Sequence, residues 1–343
     1  MEKRKIIIDT DTGTDDSVAI MAALLSKKIE VVAVCAVWGN LPLEHTYRNA
    51  LKTLHLVGAD NVPVYKGCAK PMVKFLSPSR VDYDRDEKMR WLREEYIVLH
   101  GKKFYYNQED FDLEESPRGP EEQDACSFYV EYLRSAEEPV TIVAIGPLTN
   151  LAMALRMDPS ITKNIDEIVV MGGGCRQTNT TSSAEYNIWC DPESAQIVLS
   201  CGVKQVWCPL DATHIASFDH EDAEKFRSLG TAAGNWTADM IDCRIASYDK
   251  MQPFNPGFAP IHDALCVAYL IDPAVLTDLP LVRCDVDCGD SVGEGQTIVD
   301  PRAYTEEKNC YFAFNADRLL FRDILMECFK YHNVAEMEDN HND

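Results

Sequence analysis

Short, nearly uninterrupted apolar segments alternate along the chain with segments in which apolar residues recur at helical spacing. The uninterrupted segments are rich in β-branched residues, a composition typical of strands that are buried on both faces of a parallel sheet. We predict strands at residues 6–8, 29–37, 62–65, 139–145, 165–171 and 203–209, and a last strand and helix within 310–331. This alternation predicts an α/β fold, with an open, mostly parallel, Rossmann-like central sheet, helices on both faces and a functional site at the carboxyl ends of the strands.

Two longer stretches, at about 74–123 and 219–258, interrupt the alternation of strands and helices. The first mixes charged and aromatic residues and is expected to be partly helical, and the second is expected to contain helices and a loop. Because connections of this length are uncommon unless they serve a binding site, we expect both to be insertions at its rim. The sequence therefore predicts one domain over residues 1–332 and a disordered acidic tail over residues 333–343.

Composition and charge narrow the class of protein. The chain has 343 residues, of which 46% are hydrophobic, so it is long enough to bury a substantial core. Its 33 basic and 56 acidic residues give a net charge of −23, which argues against a nucleic-acid partner. No apolar run approaches the roughly 18 residues that a membrane helix needs, so we expect no membrane association. The start MEKRKIII leaves no room for a signal peptide, and thirteen cysteines without CxxC pairs indicate core thiols, so we expect a cytoplasmic protein.

An acidic segment follows the first predicted strand directly and precedes a predicted helix. Its carboxylates are Asp9, Asp11, Asp15 and Asp16. Four carboxylates this close repel one another unless a positive charge lies among them, and a hard divalent cation with oxygen ligands supplies that charge best. An EF-hand is excluded, because Gly13 is fifth rather than sixth in the segment and a strand precedes it. The pattern favours a calcium or magnesium site over a simple capped turn.

Candidate functional residues and glycine-containing turns also follow other predicted strands. Asn40 comes after the second strand, a Gly-Pro pair after the fourth and three glycines after the fifth. The later pair His262–Asp263 begins a predicted helix. Because these positions belong to the carboxyl ends of the strands, they share one edge of the predicted sheet. From position alone, Asn40 and His262 fit helix caps about as well as functional residues.

Taken in order, these segments resemble the inosine-uridine preferring nucleoside hydrolase family. DTDTGTDD at 9–16 is similar to the DxDxGxDD motif of the family, and GPLTNLA at 146–152 is similar to its G-x-L-T-N-[IL]-A segment. Three further segments also match the family: the block at 171–193, which contains Asn179 and AEYN, HDAL at 262–265 and GQTIVD at 295–300. The resemblance therefore covers roughly the whole chain. It implies a calcium-dependent enzyme that cleaves the N-glycosidic bond of ribonucleosides in nucleoside salvage, as a homodimer or homotetramer.

The resemblance also implies roles for individual residues. The implied calcium ligands are Asp11, Asp15, Asp16, Asp263 and the backbone carbonyl of Ile145. The implied substrate contacts are Asn40, Asp15, Met171, Asn179, Glu185, Asn187 and Asp263, with His100 and Tyr248 as candidates beside the base. Asp11 is expected to act as general base on the attacking water, and His262 is expected to donate a proton to the leaving base. Asp9 is expected to orient Asp11 or another ligand without binding the metal.

Two alternative functions and the substrate preference stay open at this point. A haloacid dehalogenase-like phosphatase also begins with an acidic motif, although Gly13 here replaces its threonine, and a nucleoside-binding protein without turnover needs the same contacts. Asp-Thr-Gly-Thr and His262 resemble the broad or pyrimidine-accepting branch of the hydrolase family. Trp91 and Trp236 could stack on a purine, but as rim or core aromatics they are expected to be structural.

Overall fold

The computed structural model describes residues 3–80, 96–99, 101–105, 108–251, 255–305 and 307–340. Within these ranges the strands are β1 (Arg4–Thr10), β2 (Ile29–Ala36), β3 (Val64–Lys66), β4 (Tyr96–Leu99), β5 (Lys102–Tyr105), β6 (Val140–Ala144), β7 (Ile165–Met171), β8 (Gln205–Cys208), β9 (Leu276–Asp278), β10 (Leu281–Val286), β11 (Thr297–Asp300), β12 (Cys310–Phe312) and β13 (Asn315–Ala316). The α-helices are α1 (Thr14–Leu24), α2 (Leu43–Leu56), α3 (Ala125–Ser135), α4 (Thr149–Met157), α5 (Tyr186–Cys190), α6 (Pro192–Leu199), α7 (Leu210–Thr213), α8 (His220–Arg227), α9 (Ala232–Met251), α10 (Ala264–Ile271), α11 (Arg318–Phe329) and α12 (Val334–Asp339).

The central sheet has nine strands in the order β11-β10-β12-β8-β7-β6-β1-β2-β3. Strands β3, β2, β1, β6, β7, β8 and β12 pair in parallel, and β10 pairs antiparallel with both β12 and β11. The predicted α/β fold with a mostly parallel sheet is therefore confirmed. The chain leaves β1 toward β2 and β3 on one side and later fills the other side through β6, β7 and β8. The carboxyl end of β1 is thus the switch point of the sheet, where open α/β folds bind their ligands.

The apolar run of β1 explains why this strand lies at the centre. Ile6, Ile7 and Ile8 are completely buried, because successive side chains point to opposite faces and both faces are covered. Ile6 and Ile8 pack in one hydrophobic layer, which includes α1 and α10, and Ile7 packs in the other, which includes α3 and α4. Helices cover both faces, as the sequence predicts. None of the helices in the described residues has the length and apolar character needed to cross a bilayer.

The first predicted rim insertion contains two 3₁₀ turns and a short hairpin in its described part. The turns are Lys74–Leu76 and Pro78–Arg80, and β4 pairs with β5 in the hairpin. The second insertion forms α8 and α9. His100 and Trp91 lie outside the described residues. Trp236, on α9, is a core residue, since its ring packs on Phe104 and Phe111 and its indole N–H donates to Ser17 Oγ at 2.7 Å.

The expectation that residues 333–343 are disordered is wrong for 333–340. Asn333 caps α12 by accepting from the Glu336 N–H at 2.9 Å, and Met337 is buried against the core. The Val334 N–H also donates to the Val57 carbonyl at 3.0 Å, which ties the segment to the end of α2. A side-chain cap and one apolar anchor are enough to order this short acidic helix.

Candidate active site

The loop after β1 turns the acidic segment into the start of α1. Asp16 accepts a hydrogen bond from the Gly13 N–H at 2.9 Å and another from Thr10 Oγ1 at 2.6 Å, so both of its oxygens are fixed. Carboxylates in the first turn of a helix also interact favourably with the positive end of the helix dipole. Asp15 and Asp16 thereby share the helix start, at the switch point of the sheet.

Asp263 brings a third carboxylate to the same place from the far end of the sequence. Ligand oxygens of Asp15, Asp16 and Asp263 lie within 4.8 Å of one another, and all three residues are buried. Burial and the charges of Asp15, Asp16 and Asp11 raise the pKa of Asp263 well above its ordinary value. Burial, followed by the charge of Asp15, raises the pKa of Asp16 to about 6. Distant segments of the chain therefore build one acidic cluster, as the sequence predicts.

Asp11 lies beside this cluster and is held tightly by backbone. Its Oδ2 accepts from the Asn40 N–H at 2.5 Å, and a Cβ atom on Gly39 would lie only 2.1 Å from the same oxygen. A Cβ on Gly146 would lie 2.8 Å from Oδ1, so glycine is required on both sides. Burial, then the charges of Asp16 and Asp15, raises the Asp11 pKa well above its ordinary value.

The donors of this cluster fit a hard divalent cation. Asp11 Oδ1 is buried and has no hydrogen-bond partner, although buried carboxylate oxygens are normally satisfied. Asp15, Asp16 and Asp263 bring neighbouring carboxylate oxygens beside Asp11, and burial followed by mutual repulsion raises the pKa values of Asp11, Asp16 and Asp263. A cation such as calcium would satisfy the free oxygen and neutralise the charge together.

The ends of β6 and β7 supply the other wall of the site. Asn187 donates from Nδ2 to the carbonyl of Ile145 at 3.2 Å and to the carbonyl of Met171 at 3.1 Å. A carbonyl has two lone pairs, so that of Ile145 retains one after this bond. Asn187 therefore bridges the ends of β6 and β7, beside the buried Met171 and on the same sheet edge as the acidic cluster.

Asn179 and Glu185 hold the N-terminus of α5, the short helix that carries Asn187. Glu185 accepts from the N–H groups of Asn187, Ile188 and Gly173 at 2.9 to 3.2 Å, and burial raises its pKa to about 7. Asn179, which is half-buried, accepts from the Tyr186 N–H at 3.0 Å. Both residues thus fix the backbone of the site, and any contact of either with a sugar hydroxyl is additional to these bonds.

His262 is buried within a chain of three hydrogen-bonding side chains. Its Nδ1 lies 2.7 Å from Thr213 Oγ1, and its Nε2 lies 2.8 Å from the Tyr248 hydroxyl. His214, which the sequence analysis does not single out, places its ring 5.6 Å from that of His262. Burial, then the charges of Arg244 and His214, lowers the His262 pKa well below its ordinary value, so the ring is neutral at physiological pH.

Asp9 faces the opposite layer of the sheet from the metal-ligand candidates. It accepts from the Tyr129 hydroxyl at 2.9 Å and from Asn150 Nδ2 at 3.2 Å, and burial raises its pKa to about 7. Asn150 belongs to the GPLTN segment and also bonds the Cys68 N–H and the Ala36 carbonyl. The bonds of the Asp9 carboxylate thus anchor α3 and α4 to β1.

Arg244 is the main residue of the site that sequence reasoning misses. It lies on α9, is 3% exposed, and donates to Asp15 Oδ1 at 3.0 Å. The sequence signal that could have drawn attention to Arg244 is its place at helical spacing within an apolar stripe, since its neighbours Met240, Ile241 and Tyr248 are buried. That signal indicates burial but does not identify Asp15 as the partner.

Comparisons with known proteins agree with this geometry. Residues 6–323 match the family model described as inosine-uridine preferring nucleoside hydrolase. The chain belongs to this nucleoside hydrolase family. The hydrolase is 33% identical over 328 residues to a pyrimidine-specific ribonucleoside hydrolase, RihA, of Escherichia coli O1:K1, an alignment that covers 95% of this chain and 98% of the relative.

Solved structures of nucleoside hydrolases superpose on nearly the whole of this hydrolase. A purine-preferring ribonucleoside hydrolase from Gardnerella vaginalis has a TM-score of 0.81 at 30% identity, and the match covers 95% of this chain and 98% of that one. An inosine-guanosine nucleoside hydrolase has a TM-score of 0.76 at 25% identity, over 96% of this chain and 99% of that one. The hydrolase is therefore an enzyme, and the phosphatase and binding-protein alternatives gain no support from these matches.

Proposed function

We propose that this hydrolase is calcium-dependent and cleaves the N-glycosidic bond of ribonucleosides with broad specificity, including pyrimidine ribonucleosides. The observation that carries the proposal is the buried carboxylate group of Asp15, Asp16 and Asp263, with Asp11 beside it and Asp11 Oδ1 without a hydrogen-bond partner. The breadth is supported by relatives of different preference, one named pyrimidine-specific and another purine-preferring. A cytoplasmic location is supported by thirteen free cysteines, which suit a reducing compartment, and release of free base and ribose there would serve nucleoside salvage.

The residues that would hold calcium are Asp11, Asp15, Asp16, Asp263 and the carbonyl of Ile145. When bound there, calcium would neutralise the carboxylates and offer ligand positions to a sugar diol and to water. The protein contributes a rigid cage for this purpose, because Asp16 is fixed by Thr10 and Gly13, and Asp11 is confined by Gly39 and Gly146. Preorganised ligands of this kind reduce the reorganisation that catalysis requires.

Asp11 is the proposed general base. Its Oδ1 is buried and has no hydrogen-bond partner, so one lone pair of this oxygen can face the cation while the other accepts the proton of a water. The oxygen would take a proton from the water that attacks the anomeric carbon. The reaction passes through an oxocarbenium-like transition state, and the surrounding carboxylates stabilise the positive charge that develops on the sugar.

The leaving base requires a proton or a hydrogen bond, and the chain Thr213–His262–Tyr248 is the proposed source. The neutral His262 ring cannot act alone as a strong acid, but its Nε2 is in hydrogen-bond contact with the Tyr248 hydroxyl. When His262 carries its hydrogen on Nε2, this N–H donates to the Tyr248 oxygen, so Tyr248 can give its hydroxyl proton to the leaving base while His262 stabilises the negative charge left on the Tyr248 oxygen. The tautomer of His262 follows the direction of its bond with Thr213.

The test is a nucleoside panel assayed with calcium and with chelator. Inosine, uridine, cytidine and adenosine are expected to release free base and ribose only when calcium is present, with pyrimidine ribonucleosides among the substrates. Asp11→Ala is expected to retain its fold and lose at least about 100-fold in kcat, as for removal of a general base. Full activity in the chelated enzyme, or in Asp11→Ala, would contradict the proposal. Retention of deoxyribonucleoside hydrolysis at the full rate would argue against recognition of the sugar diol.

A further inference from the structure

One buried arginine joins the two segments that build the acidic cluster. Arg244 donates from Nη1 to Asp15 Oδ1 at 3.0 Å and to Thr14 Oγ1 at 3.3 Å. Its Nε donates to the carbonyl of Pro260 at 3.0 Å. Thr14 and Asp15 begin α1, whereas Pro260 immediately precedes the Ile261–Asp263 segment. Through this side chain, α9 fixes the positions of both acid-bearing segments relative to each other.

The ion pair also restricts what Asp15 can do. The side chains of Arg244 and Asp15 are 4% and 9% exposed, so their attraction is weakly screened by solvent. Because Oδ1 already accepts from the guanidinium, it retains one lone pair, and Asp15 has fewer acceptor sites to share between a cation and a substrate. A buried arginine keeps its charge under all ordinary conditions, so this restraint does not titrate away.

The same positive charge acts on the whole cluster. It is the opposing charge that partly offsets the repulsion felt by Asp263 from Asp11, Asp15 and Asp16. A unit positive charge in contact with a carboxylate that would hold a divalent cation also opposes the binding of that cation. Arg244 therefore stabilises the metal-free cluster and weakens the cluster as a calcium ligand set.

We propose that Arg244 is a positioning residue. It places Asp15 and the 260–263 segment correctly, and its positive charge lowers the calcium affinity of the site. The inference rests on the proposed calcium dependence. It predicts that calcium affinity and catalysis move in opposite directions when the charge is removed. Loss of positioning alone would weaken both, because a loosened site binds its cation and its substrate less well, so tighter calcium binding in the neutral variants would show that removal of the charge outweighs the loosening.

The test combines calorimetric titration of chelated protein with calcium and steady-state kinetics on inosine and uridine. Arg244→Met and Arg244→Gln are expected to bind calcium about tenfold more tightly than the wild type, through removal of a nearby like charge. Their kcat is expected to fall by about 10- to 100-fold through misplacement of Asp15, measured at saturating calcium. Arg244→Lys keeps the charge and loses the bond to Pro260, so its calcium affinity is expected to stay near that of the wild type, with part of the kcat retained.

Arg227→Met is the matched control, since Arg227 also forms ion pairs with α9, to Asp239 and Asp242 at 2.9 Å each. It is expected to leave calcium affinity and kcat unchanged. Equal or weaker calcium binding in both neutral Arg244 variants would overturn the inference. So would their failure to fold while Arg227→Met folds, because Arg244 would then be purely structural. If the wild type neither binds calcium nor releases base, the proposed function fails and this inference falls with it.

Discussion

A buried negative charge on Asp16 is expected to destabilise the protein whenever no cation neutralises it. Asp16 is completely buried, and burial with the charge of Asp15 raises its pKa from 3.8 to about 6. A difference of about 2 units corresponds to about 3 kcal/mol, at about 1.4 kcal/mol per unit. Because the pKa is higher in the folded than in the unfolded state, this contribution is present below pH 3.8 and is lost as the pH rises through about 6.

The perturbation is Asp16→Asn, studied in the metal-free protein. Asparagine removes the charge but can accept only one of the two hydrogen bonds from Thr10 and Gly13, which costs about 1 kcal/mol. The net expectation is therefore a metal-free variant that is about 2 kcal/mol more stable than the metal-free wild type near pH 8. Asp9 and Glu185, with pKa values raised to about 7, add to the loss of wild-type stability on going from about pH 5 to about pH 8.

The assay is urea unfolding, followed by tryptophan fluorescence, at about pH 5 and about pH 8, with chelator or with calcium. Calcium at a hundred times its Kd should add about 2.7 kcal/mol to the wild type and clearly less to Asp16→Asn. The reasoning is refuted if metal-free Asp16→Asn is the less stable protein near pH 8. It is also refuted if the stability of metal-free Asp16→Asn relative to the metal-free wild type falls between about pH 5 and about pH 8, a comparison in which the other titrating groups cancel.

Three further predictions concern separate contacts. Gly39→Ala forces a Cβ atom against Asp11 Oδ2, so kcat should fall by about 100-fold or more while the circular dichroism spectrum stays that of the wild type. An unchanged kcat would show that Asp11 can move freely. Tyr248→Phe removes the hydroxyl beside His262 Nε2, so kcat on inosine should fall by about 10- to 100-fold, whereas kcat on a nitrophenyl riboside should fall much less. Equal losses on the two substrates would exclude a role of Tyr248 in protonating the leaving group. Asn333→Ala removes the cap of α12 and should lower the free energy of unfolding by about 1 kcal/mol in urea titrations, with activity retained. An unchanged midpoint of urea unfolding would mean that the cap is dispensable.

The positions of the strands and of the acidic residues follow from local sequence. The predicted strand at 165–171 coincides with β7, because a β-branched run between turn signals leaves few alternatives. Likewise, the parallel order of strands places Asp16 and Asp263 at one edge regardless of the loops between them. The resemblance to the family is what implies the Ile145 carbonyl as a calcium ligand, because a backbone carbonyl has no signature in side-chain chemistry.

The features that could not be predicted from the sequence depend on contacts between residues that are far apart along the chain. Arg244 and Asp15 are 229 residues apart, and nothing near either residue indicates the other. The order of α12 depends on Met337 reaching the core and on a bond from Val334 to Val57, whereas its acidic composition alone favours disorder. The bonds of Asp9 to Tyr129 and Asn150 were likewise hidden, because they cross to another layer of the fold.

The wide sequence separation of the acidic cluster has a consequence for synthesis of the protein. Asp15 and Asp16 leave the ribosome early, but their partner Asp263 follows about 250 residues later, a delay of about 12 to 50 s at about 5–20 residues per second. Throughout that interval the nascent chain carries the repelling carboxylates without the third ligand that would close a cage around a cation. Capture of the metal should therefore be a late, post-translational event that locks a nearly finished chain and does not guide its early folding.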